Sequence, residues 1–578
     1  MPPRRAVALL LCALLASASR ALAVWPSDPT QNLPVCTFAG DQSGTQILAD
    51  GHGGAWMSWG DGRVAFSQAD IYVQHVLASG VVDPAWPADG LVVCTGLSQQ
   101  LNAVMASDGS SGFFITWTDP RTSTANPDLY MHHVLATGVV DPAWPVNGAG
   151  VCTTLDYQYP PQILADGAGG AFVCFGDIGN NNNIYAQHML ASGVRDPAWP
   201  STGLGVCTAA GEQYFPSMVL DGTGGILLAW EDDRTDAGDI YAAHVSSSGV
   251  IDPAWPMNGL VVCNSTAAQN VARIVGDGSG GAIILWDDFR SSTTADVYAQ
   301  HLRATGSVDP AWPVNGQAIC TATGDQRGIR VVSDGAHGAV IAWSDKRGGD
   351  FDIYAQHLLA NGNVDAAWPV NGRSLCLAAG DQIIGGMLRD GSGGALLAWQ
   401  DARAGATNRD IYATHLLAGG IADPTWPVNG RAVSTAAGDQ LSAVVCGDGA
   451  GGMLCAWFDH RGSTYDIYAQ RVNADGTLDV ASGPLATDLR VPQPSPNPTT
   501  ASAVLRFNLA RTGLAHVEVL DLAGRRVRTV VASTLEAGWH EVGWDLRSDT
   551  GQRVHDGIYF VSYALDGAIR TRRIAVVR

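Results

Sequence analysis

Short apolar runs broken by glycine-rich turns fill nearly the whole chain, and no stretch keeps the helical period of about 3.6 residues over ten positions. Asp352 to Leu359 alternates instead. Ile353, Ala355 and His357 fall on one face and Tyr354, Gln356 and Leu358 on the other, which is the period of a strand. Gly391-Ser392-Gly393-Gly394 separates the run Gly386–Leu388 from Ala395–Trp399 and predicts a hairpin. Asn371-Gly372 predicts a turn into Ser374-Leu375-Cys376. The unit therefore reads as four short strands.

That unit recurs about every 57 residues. Its Asp-Gly turn stands at Asp50, Asp108, Asp166, Asp221, Asp277, Asp334, Asp390 and Asp448. An aromatic residue follows nine positions later, and two beyond it comes an invariant aspartate: Asp61, Asp119, Asp177, Asp232, Asp288, Asp345, Asp401 and Asp459. An arginine sits two residues after seven of these, with Gly179 the exception. An Asp-Ile-Tyr-Ala-Gln-His block, a Trp-Pro pair and a cysteine complete the unit. A glutamine follows six residues after the cysteine position: Gln42, Gln100, Gln158, Gln213, Gln269, Gln326, Gln382 and Gln440. Four strands in each of eight units predict an all-β, eight-bladed β-propeller, closed so that no sheet edge is left open. Trp25-Pro26 and Leu33-Pro34-Val35-Cys36 look like a fourth strand without its first three, while the eighth unit ends in the degenerate run Gly483–Thr487. The N-terminal strand is expected to complete the last blade.

Residues 1–23 read as a secretory signal peptide, with Arg4 and Arg5, an apolar run, and Ala21-Leu22-Ala23 as cleavage site. The expected division is leader 1–23, propeller 24–487, Pro-rich linker 488–500 and C-terminal domain 501–578. The propeller holds 18 basic against 45 acidic residues. That balance argues against nucleic acid or an anionic membrane as partner. Beyond the leader, no apolar run has the length of a membrane span. The protein is expected to be secreted or displayed on the outer cell surface.

Strand-like segments at Ala503–Asn508, His516–Leu522, His540–Asp545, Gly557–Leu565 and Arg570–Val577 predict a small Ig-like β-sandwich. Pro496-Asn497-Pro498, Leu520-Asp521-Leu522-Ala523-Gly524-Arg525, Gly538-Trp539-His540, Trp544-Asp545, Gly557-Ile558-Tyr559 and Arg572-Arg573 occur in order. In them this region resembles the C-terminal type IX secretion sorting domains, or flagellar-hook-capping-type Ig-like domains, of exported bacterial proteins. The resemblance implies delivery or anchoring through a secretion machinery and no catalysis. The repeat unit resembles propeller-like repeats of uncharacterised exported bacterial proteins, which implies no activity.

The recurrent chemistry reads mainly as construction. A residue present in every blade is explained by the blade, so each Asp–Arg pair is expected to tie one blade's turn to the next by a charge-assisted hydrogen bond. The histidines (His75, His133, His188, His244, His301, His357, His415, with Arg471 in the eighth unit) lie in separate blades and form no metal cluster. The eight glutamines enter the strands that line the axis, where they either bind a polar ligand as a ring of amides or cap neighbouring backbone groups. No cofactor is expected, and the acidic charge leaves calcium open at the Asp-Gly turns. The Trp-Pro motifs read as blade-to-blade packing. The repeat cysteines read as buried thiols, with Cys446 and Cys455 close enough in sequence to pair across a hairpin. No catalytic constellation breaks the symmetry. The leading expectation is a non-enzymatic surface or secreted protein binding a glycan or protein on one rim, where Thr122–Pro127, Gly179–Asn183 and Ala404–Arg409 differ between units. The alternatives are a carbohydrate-active hydrolase or lyase with its site at the axis, and a structural envelope spacer.

Overall fold

The computed structural model describes residues 25–65, 68–96, 98–109, 112–153, 157–179, 181–235, 238–291, 294–478, 494–509, 513–521, 526–535, 538–565 and 568–577. The leader, Gly483–Thr487 and the turns Ala523-Gly524-Arg525 and Asp566-Gly567 lie outside them. The chain divides into two compact units, Met1–Ala481 and Ser482–Arg578. Every described element is a β-strand.

The first unit is an eight-bladed propeller. Its fifth blade is representative, with antiparallel strands Gln269–Gly276, Ala282–Asp288, Asp296–Arg303 and Gln317–Cys320. Blades one to eight begin at Gln42, Leu101, Tyr157, Gln213, Gln269, Gln326, Gln382 and Gln440. First strands of neighbouring blades contact one another, so they form the inner ring around the axis. The second strand lies between two neighbouring blades, and Ala282–Asp288 is buried at every position. That two-sided burial is why it reads as a continuous apolar run rather than an alternating one.

Closure follows the expected route. Leu33–Cys36 pairs antiparallel with Asp466–Val472, placing Leu33 opposite Ala469 and Pro34 opposite Tyr468. Trp25 then does for the eighth blade what each Trp-Pro does elsewhere. In the fourth blade Trp255 slides beneath Gly306 of the fifth, so close that a Cβ there would lie 2.8 Å from its Cδ1. Trp25 meets Gly80 of the first blade in the same way, and its indole N–H donates to the Ala78 carbonyl at 3.1 Å. Burying a tryptophan of roughly 200 Å² stabilises each interface by on the order of 5 kcal/mol before entropy is subtracted.

The second unit is a small sandwich. Ala503–Leu509 pairs with Gly538–Trp544, and a four-stranded sheet runs Arg526–Leu535, Gly513–Leu520, Gly557–Leu565, Ala568–Val576. Leu505, Phe507, Val517, Trp544, Val561 and Ile574 lie in its core. Two features differ from expectation. Arg526–Leu535 is a strand that the arginines at Arg526 and Arg528 disguised. Part of the expected linker also belongs to the sandwich: Ser495 pairs with Val504, and Thr499 exchanges backbone hydrogen bonds with the strand Ala568–Val576 and Val577.

Candidate functional site

Three repeated devices build the blades. In the first, Asp288 accepts the Trp286 indole N–H at 2.7 Å and is gripped by Arg290 through Nε at 2.8 Å and Nη2 at 2.6 Å. Arg290 also donates to the Asn315 carbonyl at 2.7 Å and lies over the Tyr298 ring, Cζ to centroid 4.1 Å. Asp61, Asp232, Asp345 and Asp401 hold the same arrangement with Arg63, Arg234, Arg347 and Arg403; Arg121 grips Asp119 through Nη2, and Arg461 grips Asp459 while reaching the Asn32 side chain just ahead of the N-terminal strand. At Asp177 it is missing two parts, because Phe175 has no N–H and Gly179 no guanidinium. These pairs were expected to bridge blades. Their carboxylate and carbonyl partners instead lie inside one blade, and the reach to the preceding blade is the Arg290 contact with Cys263 Sγ at 3.2 Å.

In the second device each histidine is clamped between two carboxylates. His75 Nε2 lies 3.0 Å from Asp50 and Nδ1 lies 2.8 Å from Asp83. His133, His188, His244, His301, His357 and His415 repeat this with the turn aspartate and the aspartate eight residues on. Burial by itself would lower the His75 pKa, but the bonds to Asp50 and Asp83 outweigh it and raise the pKa. The same turn carboxylates accept backbone N–H groups: Asp277 Oδ1 takes those of Gly281 at 2.9 Å and Ser279 at 2.6 Å. The Asp-Gly turns therefore have committed carboxylates rather than oxygens held out for calcium. Among the described residues no three His, Cys, Asp or Glu side chains are grouped to hold a metal.

In the third device Gln42, Gln100, Gln158, Gln213, Gln269, Gln326, Gln382 and Gln440 are sealed, none more than 1% exposed. They stand at the entry of the inner strands but turn into the blade. Gln382 Nε2 donates to the Gly380 carbonyl at 2.7 Å and the Ala378 carbonyl at 3.1 Å; Gln42 treats Gly40 and Phe38 alike. A ring of amides offered to a ligand in the channel is not what this geometry presents, because the side chains are sealed from solvent and those of Gln42 and Gln382 are spent on backbone carbonyls.

The cysteines are buried and unbridged among the described residues. Burial pushes the Cys36 and Cys94 thiols up to about 12. Cys446 faces Leu454 and Cys455 faces Val445 across their hairpin. The two thiols therefore point to opposite faces of the sheet and cannot bridge.

Most of the loop variation between blades gathers on one rim. Gln269 is opposite Asp288, and Asp288 opposite Asp296. The connections from second to third strand and from fourth strand to the next blade thus emerge at the same end. Thr122–Pro127 and Ala404–Arg409 lie in second-to-third connections, and Gly179–Asn183 spans such a connection into the start of the third strand Asn182–Met189, so the three variable segments share this rim; Asn180 lies outside the described residues. Here the inner strands also bulge. Two residues past the glutamine, Gly44, Asn102, Phe215, Val271, Gly328 and Ser442 have φ between +50° and +71°. Val271, at φ +57°, is β-branched and strained there.

Two charged positions break the repeat near these bulges. The residue after the second-strand aromatic is Gly60, Thr118, Gly176, Ser344, Gln400 or Phe458 in six blades, but Glu231 and Asp287 in the fourth and fifth. The residue four past the glutamine is Gln46, Val104, Gln162, Ser217, Gly386 or Val444 in six, but Arg273 and Arg330 in the fifth and sixth. Glu231 accepts the strained Val271 N–H at 3.0 Å. Burial raises its pKa, and Asp233 adds to the rise. Burial pushes Asp287 up to about 7, with Arg273 and Arg327 opposing. Between the first three blades, at the same height, a cavity of about 250 Å³ is lined by Ser43, Gln46, Asn102, Pro160, Pro161 and Gln162. The aligned repeats carried a signal for these charged residues, a charge where the other copies have none, which a search for invariant residues passes over.

An eight-bladed propeller followed by an Ig-like domain defines the class of this protein. Residues 499–567 match the family described as FlgD Ig-like domain. No curated protein matches the chain. Among solved structures, the chain is similar to PorZ, a bacterial surface component of the type IX secretion system of Porphyromonas gingivalis. The identity is 13%, over 94% of this chain and 82% of that one, with a TM-score of 0.24. It is also similar to an ulvan lyase of polysaccharide lyase family PL25, at 8% identity over 77% and 97%, TM-score 0.44. A third is the α-L-arabinofuranosidase Arb93A of Fusarium graminearum, at 12% identity over 65% and 92%, TM-score 0.33. Likenesses of this strength carry no information on activity. Among the described residues no helix is long and apolar enough to cross a membrane.

Proposed function

We propose that this is an exported ligand-binding protein whose propeller takes a polar ligand, a glycan ahead of a protein, at the axial mouth of its variable rim. The observation that carries this reading is the gathering of departures from the repeat on that rim. The three odd loops, the strained bulges, the charged residues of blades four to six and the cavity beside Gln46 and Gln162 lie there, while on the opposite rim the turn aspartates recur in all eight blades and the histidines in seven. The C-terminal Ig-like domain serves export or attachment, engaging a secretion machinery, and the leader at residues 1–23 carries the chain out of the cytoplasm. A glycan-array screen of the full chain tests the binding half. Selective binding that Gln46→Ala or Gln162→Ala weakens supports it, and an array without any binder moves the reading to a structural role. Deleting residues 494–578 tests the other half, by whether the propeller still reaches the surface or medium.

A second reading rests on Glu231 and Asp287. Two carboxyls with raised pKa values near an axial mouth suit proton transfer in a carbohydrate-active hydrolase or lyase. Release of reducing ends from any array-positive glycan, abolished in Asp287→Asn, would favour it over binding alone.

A further inference from the structure

We propose that Arg273 and Arg330 form a seat for one oxyanion, the carboxylate or sulfate of an acidic sugar, inside the axial channel; this rests on the axial mouth being the ligand site.

The two arginines occupy one repeat position on neighbouring inner strands, Gln269–Gly276 and Gln326–Ser333. Each follows its strand's bulge, and each lies between buried neighbours, Ala272 and Ile274 for Arg273 and Ile329 for Arg330, that pack into the blades. Both arginines are partly buried. Arg330 donates through Nε to the Gly385 carbonyl at 2.7 Å and through Nη1 to the carbonyls of Ile329 at 3.2 Å and Gly328 at 3.3 Å. Arg273 donates through Nη1 to the Ala272 carbonyl at 3.2 Å. These bonds fix the forks but bring no negative charge. Among the described residues no carboxylate oxygen lies within 4.0 Å of either. Asp287 is near enough to be felt by Arg273 yet makes no ion pair with it, and Arg327 is taken by Asp325 at 3.0 Å.

This arrangement is costly as it stands. Burial lowers the pKa of both arginines, and the Arg273 charge adds to the effect on Arg330, which falls to about 10. Two partly desolvated like charges on neighbouring inner strands, close enough for one to lower the pKa of the other, oppose folding unless something offsets them. The other six blades avoid the problem with uncharged residues at this position. An oxyanion received by the free N–H groups of both forks would remove the repulsion through charge-assisted bonds, the planar geometry for which arginine is suited. The partner must be small or a chain end, because the propeller carries 45 acidic against 18 basic residues and repels a polyanion at longer range.

Calorimetric titration of the full chain with trigalacturonate, with its methyl ester as neutral twin and with a sulfated disaccharide, tests this. Trigalacturonate or the sulfated sugar should bind, the ester about tenfold or more weaker, and Arg273→Gln and Arg330→Gln should each lose about tenfold in affinity for the acid. Which of the two acidic sugars binds identifies the oxyanion. Equal affinity for acid and ester, unchanged affinity in both variants, or no acidic sugar bound overturns the seat. If the ester binds wild type and variants alike, the axial mouth remains the ligand site and only the oxyanion seat falls. Should a variant fail to fold, the native protein decides: sulfate should displace the bound acid where chloride at equal ionic strength does not, and failure to displace it overturns the proposal.

Discussion

Arg471 holds, in the eighth blade, the position that histidine holds in the other seven, and its guanidinium lies 2.8 Å from Asp448. A permanent cation standing in for histidine shows what the position requires, a positive donor facing the carboxylate of the Asp-Gly turn. Carboxylate oxygens only accept, so the two carboxylates around His75 favour the doubly protonated ring, which donates to both.

Stability should therefore fall on the alkaline side. The folded pKa of His75 is raised above its ordinary value near 6.5. A raised histidine contributes stability that is fully present below the unfolded pKa and is lost as pH rises through the folded one. On the acid side Asp50 and Asp334 are lowered, because their bonds to histidine and backbone N–H groups outweigh burial, and their contribution is lost as pH falls below about 3.8 toward the folded values. These are two ends of the same clasps, not independent gains. Thermal midpoints recorded from pH 4 to 9 should decline above about 6.5, and the His75 ring proton resonance, assigned with His75→Gln, should titrate above that value. A midpoint that is flat or rising across this range would refute the clasp.

The Asp288–Arg290 pair should matter far more than a surface ion pair. Asp288 is fully buried, so Arg290→Ala strands a carboxylate whose remaining donors are the Trp286 indole and the backbone N–H of residue 290. Breaking such a pair costs about 3–5 kcal/mol. Denaturant midpoints should show a large loss for Arg290→Ala and a loss under about 1 kcal/mol for Arg327→Ala, whose ion pair with Asp325 is half exposed.

Two glycines with nearly the same backbone separate strain from packing. Gly306 has φ +78° and faces the Trp255 ring, whereas Gly335 has φ +79° with nothing within 4 Å of a Cβ. Both alanine variants bear the left-handed strain of about 1 kcal/mol. Gly306→Ala should lose a further 1–3 kcal/mol or so, because the tryptophan that joins two blades must move. Equal thermal midpoints for the two variants would show that the Trp255 contact is soft.

Thiol chemistry gives a direct check on the blade interiors. The ten described cysteines are all buried and none is in a disulfide. Native protein should react with Ellman's reagent only slowly, and denaturant should release these thiols together. Reductant should leave the melting temperature unchanged. A midpoint that drops in reductant would mean a bridge that the facing of Cys446 and Cys455 forbids.

The chain by itself determined the repeat and therefore the fold. The glycine-rich hairpins, the two-residue alternation of Asp352–Leu358 and the stray Leu33–Cys36 strand are local signals, and closure follows because one leftover strand and one incomplete blade have only each other to pair with. The strand Arg526–Leu535 escaped because its polar alternation resembles an exposed loop until a partner strand lies beside it. Tertiary structure alone decided which polar atoms meet. Asp50 and His75 are 25 residues apart and Asp83 lies eight further on, so no spacing rule brings them together; the sheet register does. Burial alone decided that Gln42 and its seven counterparts are sealed from solvent, and the hydrogen bonds of Gln42 and Gln382 to backbone carbonyls show where such an amide is spent. Glu231, Asp287, Arg273 and Arg330 were visible as letters, but only the ring, by setting the first and second strands of blades four to six beside one another, brought Glu231 onto the Val271 N–H and put Arg273 within electrostatic reach of Asp287 and Arg330.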